Sequence, residues 1–258
     1  MKQSHPRRSS FSALTLLLLP ALLTLLPCAL TATAEGAVGI REDFSSDPFE
    51  EPSPRWVCTT PEGSYKPFWT GGPSPQVQLG STAEKLPEPP DNAIYFFSQD
   101  TIDLLPGADN DKPLTPPCDI SADFQILGDS VGDVSVGILF NRREGENSAV
   151  EIHVGGDGST AWTGTHSGDQ PPKYGGTQLE PGVWYRLHAQ IAPGNGELEV
   201  NASLTRVDDG QPVRPDLSET IPAPNRAEGN GYGLRVGLSK GHYWSRAVVV
   251  DNIVATGK

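Results

Sequence analysis

The sequence is short of cysteine, methionine and positive charge. Its 258 residues include three Cys, one Met and 19 Lys plus Arg against 32 Asp plus Glu, for a net charge of −13. So few cations exclude a nucleic-acid binder, which needs clustered Lys and Arg to displace counterions from phosphates. Outside the first 34 residues no long segment is free of both Gly and Pro; the longest are Asp91 to Leu105 and His242 to Thr256, which excludes long amphipathic helices. His153, His166, His188 and His242 lack the close His/Cys spacing of a zinc site. There is no G-x-S-x-G elbow for a serine nucleophile and no Gly-rich turn opening a helix that would cradle phosphate. Asp109, Asn110 and Asp111 lack the remainder of an EF-hand loop. The 28 Gly and 25 Pro fill about a fifth of the chain, below the roughly 25–30% that marks low-complexity disorder.

What is present begins with a targeting pattern. Lys2, Arg7 and Arg8 precede an apolar stretch from Ala13 to Leu30, and Ala32-Thr33-Ala34 forms the small-residue cleavage pattern. Residues 1–34 therefore read as a signal peptide cut before Glu35, with a secreted or periplasmic product and no stable membrane insertion after cleavage. An uncleaved anchor is the competing reading, which Pro20 and Pro27 oppose by interrupting the stretch. Removal of the three basic residues leaves 16 cations against 32 anions, or −16, on residues 35–258, read as a single domain. Cys58 and Cys118 then remain, and export to an oxidising compartment predicts a disulfide between them. It would close a loop of about 60 residues, for roughly 4 kcal/mol in the chain-entropy model. The alternative is two buried thiols that never meet.

Alternation with period two runs through the rest. Ile120, Ala122, Phe124 and Ile126 alternate with Ser121, Asp123 and Gln125, and Val134, Val136, Ile138 and Phe140 share one face of the next segment. Val150, Ile152 and Val154 oppose Glu151 and His153. The same pattern recurs at Val183–Ile191, Leu198–Leu204 and Tyr232–Leu238, with further strands at Ala93–Ser98 and Ala247–Ala255. Gly194-Asn195-Gly196 and Gly155-Gly156-Asp157-Gly158 read as hairpin turns. The Pro-rich acidic stretches Asp47–Pro54, Glu84–Pro90 and Pro106–Pro117 read as surface loops. The fold class is all-β, a two-sheet antiparallel β-sandwich.

Three segments carry a resemblance: Arg41-Glu42-Asp43-Phe44 with Trp56 following, Gly182-Val183-Trp184-Tyr185-Arg186-Leu187, and Val249-Val250-Asp251-Asn252-Ile253-Val254. Together they resemble the concanavalin A-like lectin and glucanase superfamily, which includes laminin-G-like modules and family 16 glycoside hydrolases. The resemblance implies a jelly roll over the whole exported chain, with its opening and closing strands paired. It also implies a structural calcium held by Asp251 and the Asp43 region with backbone oxygens; the alternative is an Asp251 that caps backbone N–H groups or faces solvent. Asp251 shares strand parity with Ala247, Val249 and Ile253, so an apolar setting that demands a partner is expected for its carboxylate.

Family 16 enzymes carry E-x-D-x-x-E or E-x-D-x-E on one strand. Here Glu151 fits the first position, but His153 stands where Asp is needed and glycine at Gly155 and Gly156, which removes the proton donor. The expected function is thus a non-catalytic module that binds a polysaccharide or another extracellular glycan. Its candidate ligand residues are Trp162, His166, Tyr174, Glu151 and His153, with a second set at His242, Tyr243 and Trp244; rim packing is the competing role for the aromatics. Phe68 and Trp69 read as core or rim. A glycan-active enzyme with displaced acids and a structural adhesion module without a small ligand stay as alternatives, and a homodimer through sheet extension stays open.

Overall fold

Fourteen strands, and no helix, form among the described residues of the computed structural model, which are 38–61, 66–72, 90–97, 100–107, 114–128, 131–132, 134–142, 150–156, 160–163, 178–213, 216–222, 231–238 and 246–257. They are β1 (Val38–Glu42), β2 (Trp56–Thr59), β3 (Phe68–Trp69), β4 (Ile94–Phe96), β5 (Thr101–Pro106), β6 (Cys118–Gly128) and β7 (Val134–Arg142), followed by β8 (Val150–Gly155), β9 (Thr160–Thr163), β10 (Trp184–Pro193), β11 (Glu197–Arg206), β12 (Leu217–Pro222), β13 (Gly231–Leu238) and β14 (Arg246–Gly257). The chain divides into two units, Met1–Ala34 and Glu35–Lys258; the first lies outside the described residues.

All ladders are antiparallel. An eight-stranded sheet runs β12-β11-β10-β6-β14-β4-β3, with β1 added to β14, and a six-stranded sheet runs β2-β5-β13-β7-β8-β9. Period-two alternation decides which faces meet. Ile120, Ala122, Phe124 and Ile126 of β6 are at most 1% exposed, as are Val136 and Ile138 of β7 and Leu234 and Val236 of β13, and all belong to one apolar core. Each such Val, Leu, Ile or Phe side chain contributes on the order of 1.5–3 kcal/mol by leaving water. Tyr185 of β10 stands in register with Phe124, and their rings pack with centroids 5.8 Å apart. The β10–β11 hairpin closes as expected at Gly194-Asn195-Gly196, where Gly196 sits at φ +78°, a left-handed conformation that favours glycine.

The opening and closing strands do pair, Glu42 opposite Ile253. Glu42 is buried and its carboxylate is satisfied locally: it accepts the Phe44 N–H (2.9 Å) and the Trp56 Nε1–H (3.2 Å) and pairs with Arg55 Nε (3.0 Å). The opening motif is therefore a buried knot that fastens β1 to β2. Trp69 packs against the main core and donates Nε1–H to the Phe44 carbonyl at 2.7 Å. Phe68 joins Tyr95, Phe97, Ala93, Ala247 and Val249 in a smaller apolar cluster, its ring stacked on Tyr95 at 5.0 Å.

Three expectations need correction. Cys58 and Cys118 are free thiols, so the expected bridge is not formed. Cys58 sits on an edge strand of the six-stranded sheet and Cys118 on an interior strand of the other. The strands that carry them pair with different neighbours, so no ladder brings the two thiols together. Burial pushes each thiol up to about 12. The strand expected over Ala93–Ser98 shortens to Ile94–Phe96. Finally, Asp251 does not share a face with Ile253. A register shift between Asp251 and Val254, with Asn252 at φ +48°, reverses the parity. Asp251 lies on the face of Ala247 and Val249, whereas Ile253 and Ala255 enter the main core.

Candidate functional site

On the six-stranded sheet, the residues between the core positions point away from the sandwich interior. Asp103 stands between Ile102 and Leu104, Arg235 between Leu234 and Val236, Gly137 between Val136 and Ile138, and His153 between Ile152 and Val154. The ladders set these residues in one row across five strands: Asp103, Arg235, Gly137, His153 and Ala161. The next row holds Gly233, Leu139, Glu151 and Thr163; on the other side lie Thr101, Gly237, Ser135 and Gly155.

A network of charges binds the two rows that contain Arg235 and Glu151. Arg235 donates Nε–H and Nη2–H to the two oxygens of Asp103 at 2.7 and 3.0 Å, and Nη1–H to Glu151 Oε2 at 2.8 Å. All three residues are buried, with side chains 6–11% exposed although they lie on the outward face. The reach from β13 to Glu151 crosses β7, where Gly137 stands. A Cβ at that position would lie 2.9 Å from the Cβ of His153 and 3.3 Å from Glu151 Cγ and Oε1. The missing side chain is what leaves room for the diagonal pair. Burial alone would raise the carboxyl of Glu151, but His153 and Arg235 outweigh it and hold it below the ordinary value. His153 Nδ1 lies 3.4 Å from Glu151 Oε1 and is itself buried without a hydrogen bond among the described residues, so the exposed part of the ring lies away from it.

Of the sequence-predicted ligand residues, Glu151 and His153 thus come together on β8. Trp162 lies on the neighbouring strand β9, opposite Ile152 in register, and its side chain is outside the described set. His166, Tyr174, His242, Tyr243 and Trp244 lie outside the described residues. Sequence reasoning missed Asp103, Arg235 and Gly137. The one available signal was a charge in the middle of an otherwise apolar strand, Asp103 within Ile102–Leu105 and Arg235 within Tyr232–Leu238.

The Asp43 and Asp251 pair belongs to the other sheet, where β1 meets β14. Asp43 is exposed and accepts the Ser45 N–H at 3.1 Å, which lowers its carboxyl below the usual range. Both oxygens of Asp251 accept from Asn252, the backbone N–H at 2.7 Å and the side-chain amide at 3.0 Å. Burial pushes the Asp251 carboxyl up to about 6, the Asn252 backbone N–H opposes this, and the like charges of Asp123, Asp43 and Glu42 add to it. Among the described residues no three Asp, Glu, His or Cys side chains converge as a metal-binding group.

No protein-family model matches the chain, and no curated protein matches it by sequence. Its fold does match solved structures. The exoplasmic/lumenal domain of VIP36, in a Ca2+/Man3GlcNAc-bound form, is similar at TM-score 0.50 and 8% identity over 84% of this chain and 87% of that one. Arcelin-5, a lectin-like defence protein from Phaseolus vulgaris, is similar at TM-score 0.50 and 9% identity over 86% and 98%. A winged bean acidic lectin, complexed with methyl-α-D-galactose, is similar at TM-score 0.51 and 13% identity over 85% and 98%. The chain therefore has the two-sheet jelly-roll fold of these structures.

Proposed function

We propose that the chain is an exported, non-catalytic module that binds glycan on the outward face of the six-stranded sheet. The observation that carries this reading is the buried Asp103–Arg235–Glu151 network, placed on a face that does not contribute to the core. Charges are expensive to bury and are held only where geometry satisfies them. Here they form a rigid polar floor beside Gly137, Ser135 and Gly155, the kind of fixed acceptor array that orients hydroxyl groups. Support comes also from the fold: a VIP36 domain and a winged bean lectin of this shape carry Man3GlcNAc and methyl-α-D-galactose in their structures. The hydrolase alternative asks for a protonated acid opposite a second carboxylate. Glu151 is instead held ionised by Arg235, which also neutralises Asp103.

A polysaccharide panel tests the reading. Retention on at least one polymer without release of reducing ends is expected, weakened by His153→Ala and unchanged by His188→Ala on the other sheet. Release of reducing ends would turn the assignment to an enzyme; retention on none of the polymers would turn it to a structural adhesion module.

A structural calcium at Asp43 and Asp251 forms part of this proposal. Asp251 sits in the field of three other carboxylates, a setting that a cation would relieve. The ion would draw most of its ligands from backbone oxygens, since calcium takes six to eight. The folded-state value of Asp251 lies above its unfolded value of 3.8, so without metal the folded state gains stability as pH falls through about 6 and is destabilised by the charge at pH 7. In chelator, Asp251→Asn is expected to melt higher than the parent at pH 7, by roughly 1–2 kcal/mol after allowance for solvent screening. That gain fades toward pH 4. In about 1 mM calcium the order reverses, with the parent the more stable. Thermal melts of both proteins in the two media, across this pH range, check the prediction.

A further inference from the structure

Resting on the reading that this face binds glycan, we infer that His153 meets a sugar hydroxyl as a hydrogen-bond acceptor, that Glu151 fixes it in that role, and that acidification weakens binding by reversing it. The argument turns on the two nitrogens of one ring. Nδ1 lies 3.4 Å from Glu151 Oε1, is closed to solvent and has no hydrogen bond among the described residues. Nε2 is not closed off in this way, and the side chain as a whole is 28% exposed. Gly137, opposite on β7, has no side chain to cover the ring. A neutral imidazole carries one proton and one lone pair, and the neighbour of one nitrogen decides which it holds. A lone pair on Nδ1 would face a carboxylate oxygen with no water between them, whereas an N–H there faces an anion that attracts it. Glu151 is held ionised below its ordinary value, so the proton belongs on Nδ1 whatever further partners Glu151 has. The lone pair is then left on Nε2, the nitrogen a ligand can reach.

Such an acceptor selects a group that can donate. A sugar hydroxyl does so, while ring and glycosidic oxygens, which carry no proton, do not. Histidine changes charge between about pH 5 and 8. Once Nε2 is protonated the acceptor becomes a donor, and a saccharide lying over the ring strips water from a cation. Both effects set the ligand against the proton, so the two compete for the site. The charged groups that face His153 among the described residues are Glu151 on its own strand, Arg235 on β13 and Asp103 beyond it on β5. Ser135, Gly137 and Leu139 of β7 carry no charge, and neither do Ala161 and Thr163 of β9. Glu151 stays ionised through the range in which histidine titrates. Asp251, pushed up to about 6, titrates within it but belongs to the other sheet.

Two measurements on the full chain test this. Long-range ¹H–¹⁵N spectra of the free ¹⁵N-labelled protein at pH 8 are expected to show His153 with a protonated Nδ1 and a bare Nε2. Glu151→Met, with circular dichroism confirming that it is folded, is expected to move the population toward Nε2–H. A parent ring protonated on Nε2 overturns the inference without touching glycan binding, and a folded Glu151→Met that keeps the parent's tautomer overturns the role of Glu151. The second measurement is a set of binding isotherms on insoluble cellulose, β-1,3-glucan, mannan and chitin at pH 8 and pH 5.5. On whichever polymer retains it, the parent is expected to bind roughly fivefold to tenfold more weakly at pH 5.5, the competition that one histidine proton exerts over that interval. His153→Gln is expected to bind more weakly than the parent at pH 8 and to lose most of the pH dependence. Parent binding as tight at pH 5.5 as at pH 8 overturns the inference while leaving glycan binding intact. A drop that persists in His153→Gln assigns the pH dependence to another group, such as Asp251, and overturns it too. Retention by none of the four polymers overturns the binding reading itself, and the inference with it.

Discussion

Arg235→Met is expected to destabilise the protein by roughly 3–5 kcal/mol at neutral pH, the usual cost of removing one partner from a buried ion network. The substitution leaves Asp103 and Glu151 buried on adjacent rows without the cation that holds both. In the parent, Glu151 lies below its ordinary value, so its contribution is present above the unfolded value of 4.5 and lost as pH falls through the folded value. In Arg235→Met, burial still raises the Glu151 carboxyl while the Arg235 attraction that lowered it is gone, so its folded value moves up. Acidification therefore costs the variant less than the parent, and the difference between them narrows as Glu151 protonates. Urea unfolding at pH 7 and pH 4.5 reads both effects. Replacing the network as a whole, Asp103→Asn, Glu151→Gln and Arg235→Met together, recovers most of the loss, because no buried charge is then left over. An Arg235→Met protein as stable as its parent at pH 7 would show that the network is not satisfied in the way its distances indicate.

Trp56→Ala carries a comparable or larger penalty for a different reason. The side chain is fully buried at the start of β2, its ring packs near Phe44 with centroids 6.5 Å apart, and its Nε1–H reaches Glu42 Oε2 at 3.2 Å. Truncation opens a large cavity, for about 3–5 kcal/mol. It also removes one of the donors that satisfy the buried Glu42 carboxylate, for a further 1–3 kcal/mol or so. Those two losses together approach the roughly 5–15 kcal/mol that holds a typical domain folded. Trp56→Phe separates them: it keeps most of the packing and loses the Nε1–H bond, so it should retain most of the urea midpoint, with an unchanged slope in all folded variants. If Trp56→Phe cost as much as Trp56→Ala, the hydrogen bond to Glu42, and not the filled volume, would be what makes Trp56 matter.

The parts of the fold that were legible are those where alternation is long and uninterrupted. In β6, β10 and β11 an apolar residue recurs at every second position, so the buried face could be read directly. β5 and β12 escaped notice because each is short and ends at a proline, Pro106 and Pro222, which reads locally as a loop. The Asp251 face was misread because parity holds only along an unbroken ladder, and one residue with positive φ at Asn252 reverses it. Half of the candidate site was legible: Glu151 and His153 stand two apart on one strand and share a face by simple alternation. Their partners were not. Asp103 and Arg235 are 132 residues apart, and what joins them is the β5–β13 pairing, a fact of topology that no local pattern encodes. The disulfide expectation failed for the same reason, since two cysteines in a sequence say nothing about whether the fold brings them together.

The most direct test of the proposed ligand face is an NMR titration of the ¹⁵N-labelled protein with an oligosaccharide of whichever polymer the panel identifies. Binding on the outward face of the six-stranded sheet predicts that the largest amide shifts fall on Asp103, Ser135, Gly137, Glu151, His153 and Arg235, with Asn201 and His188 of the opposite sheet unmoved. Shifts concentrated on β10 and β11 around Arg186, His188 and Asn201, with the Asp103–Arg235–Glu151 row silent, would contradict the account.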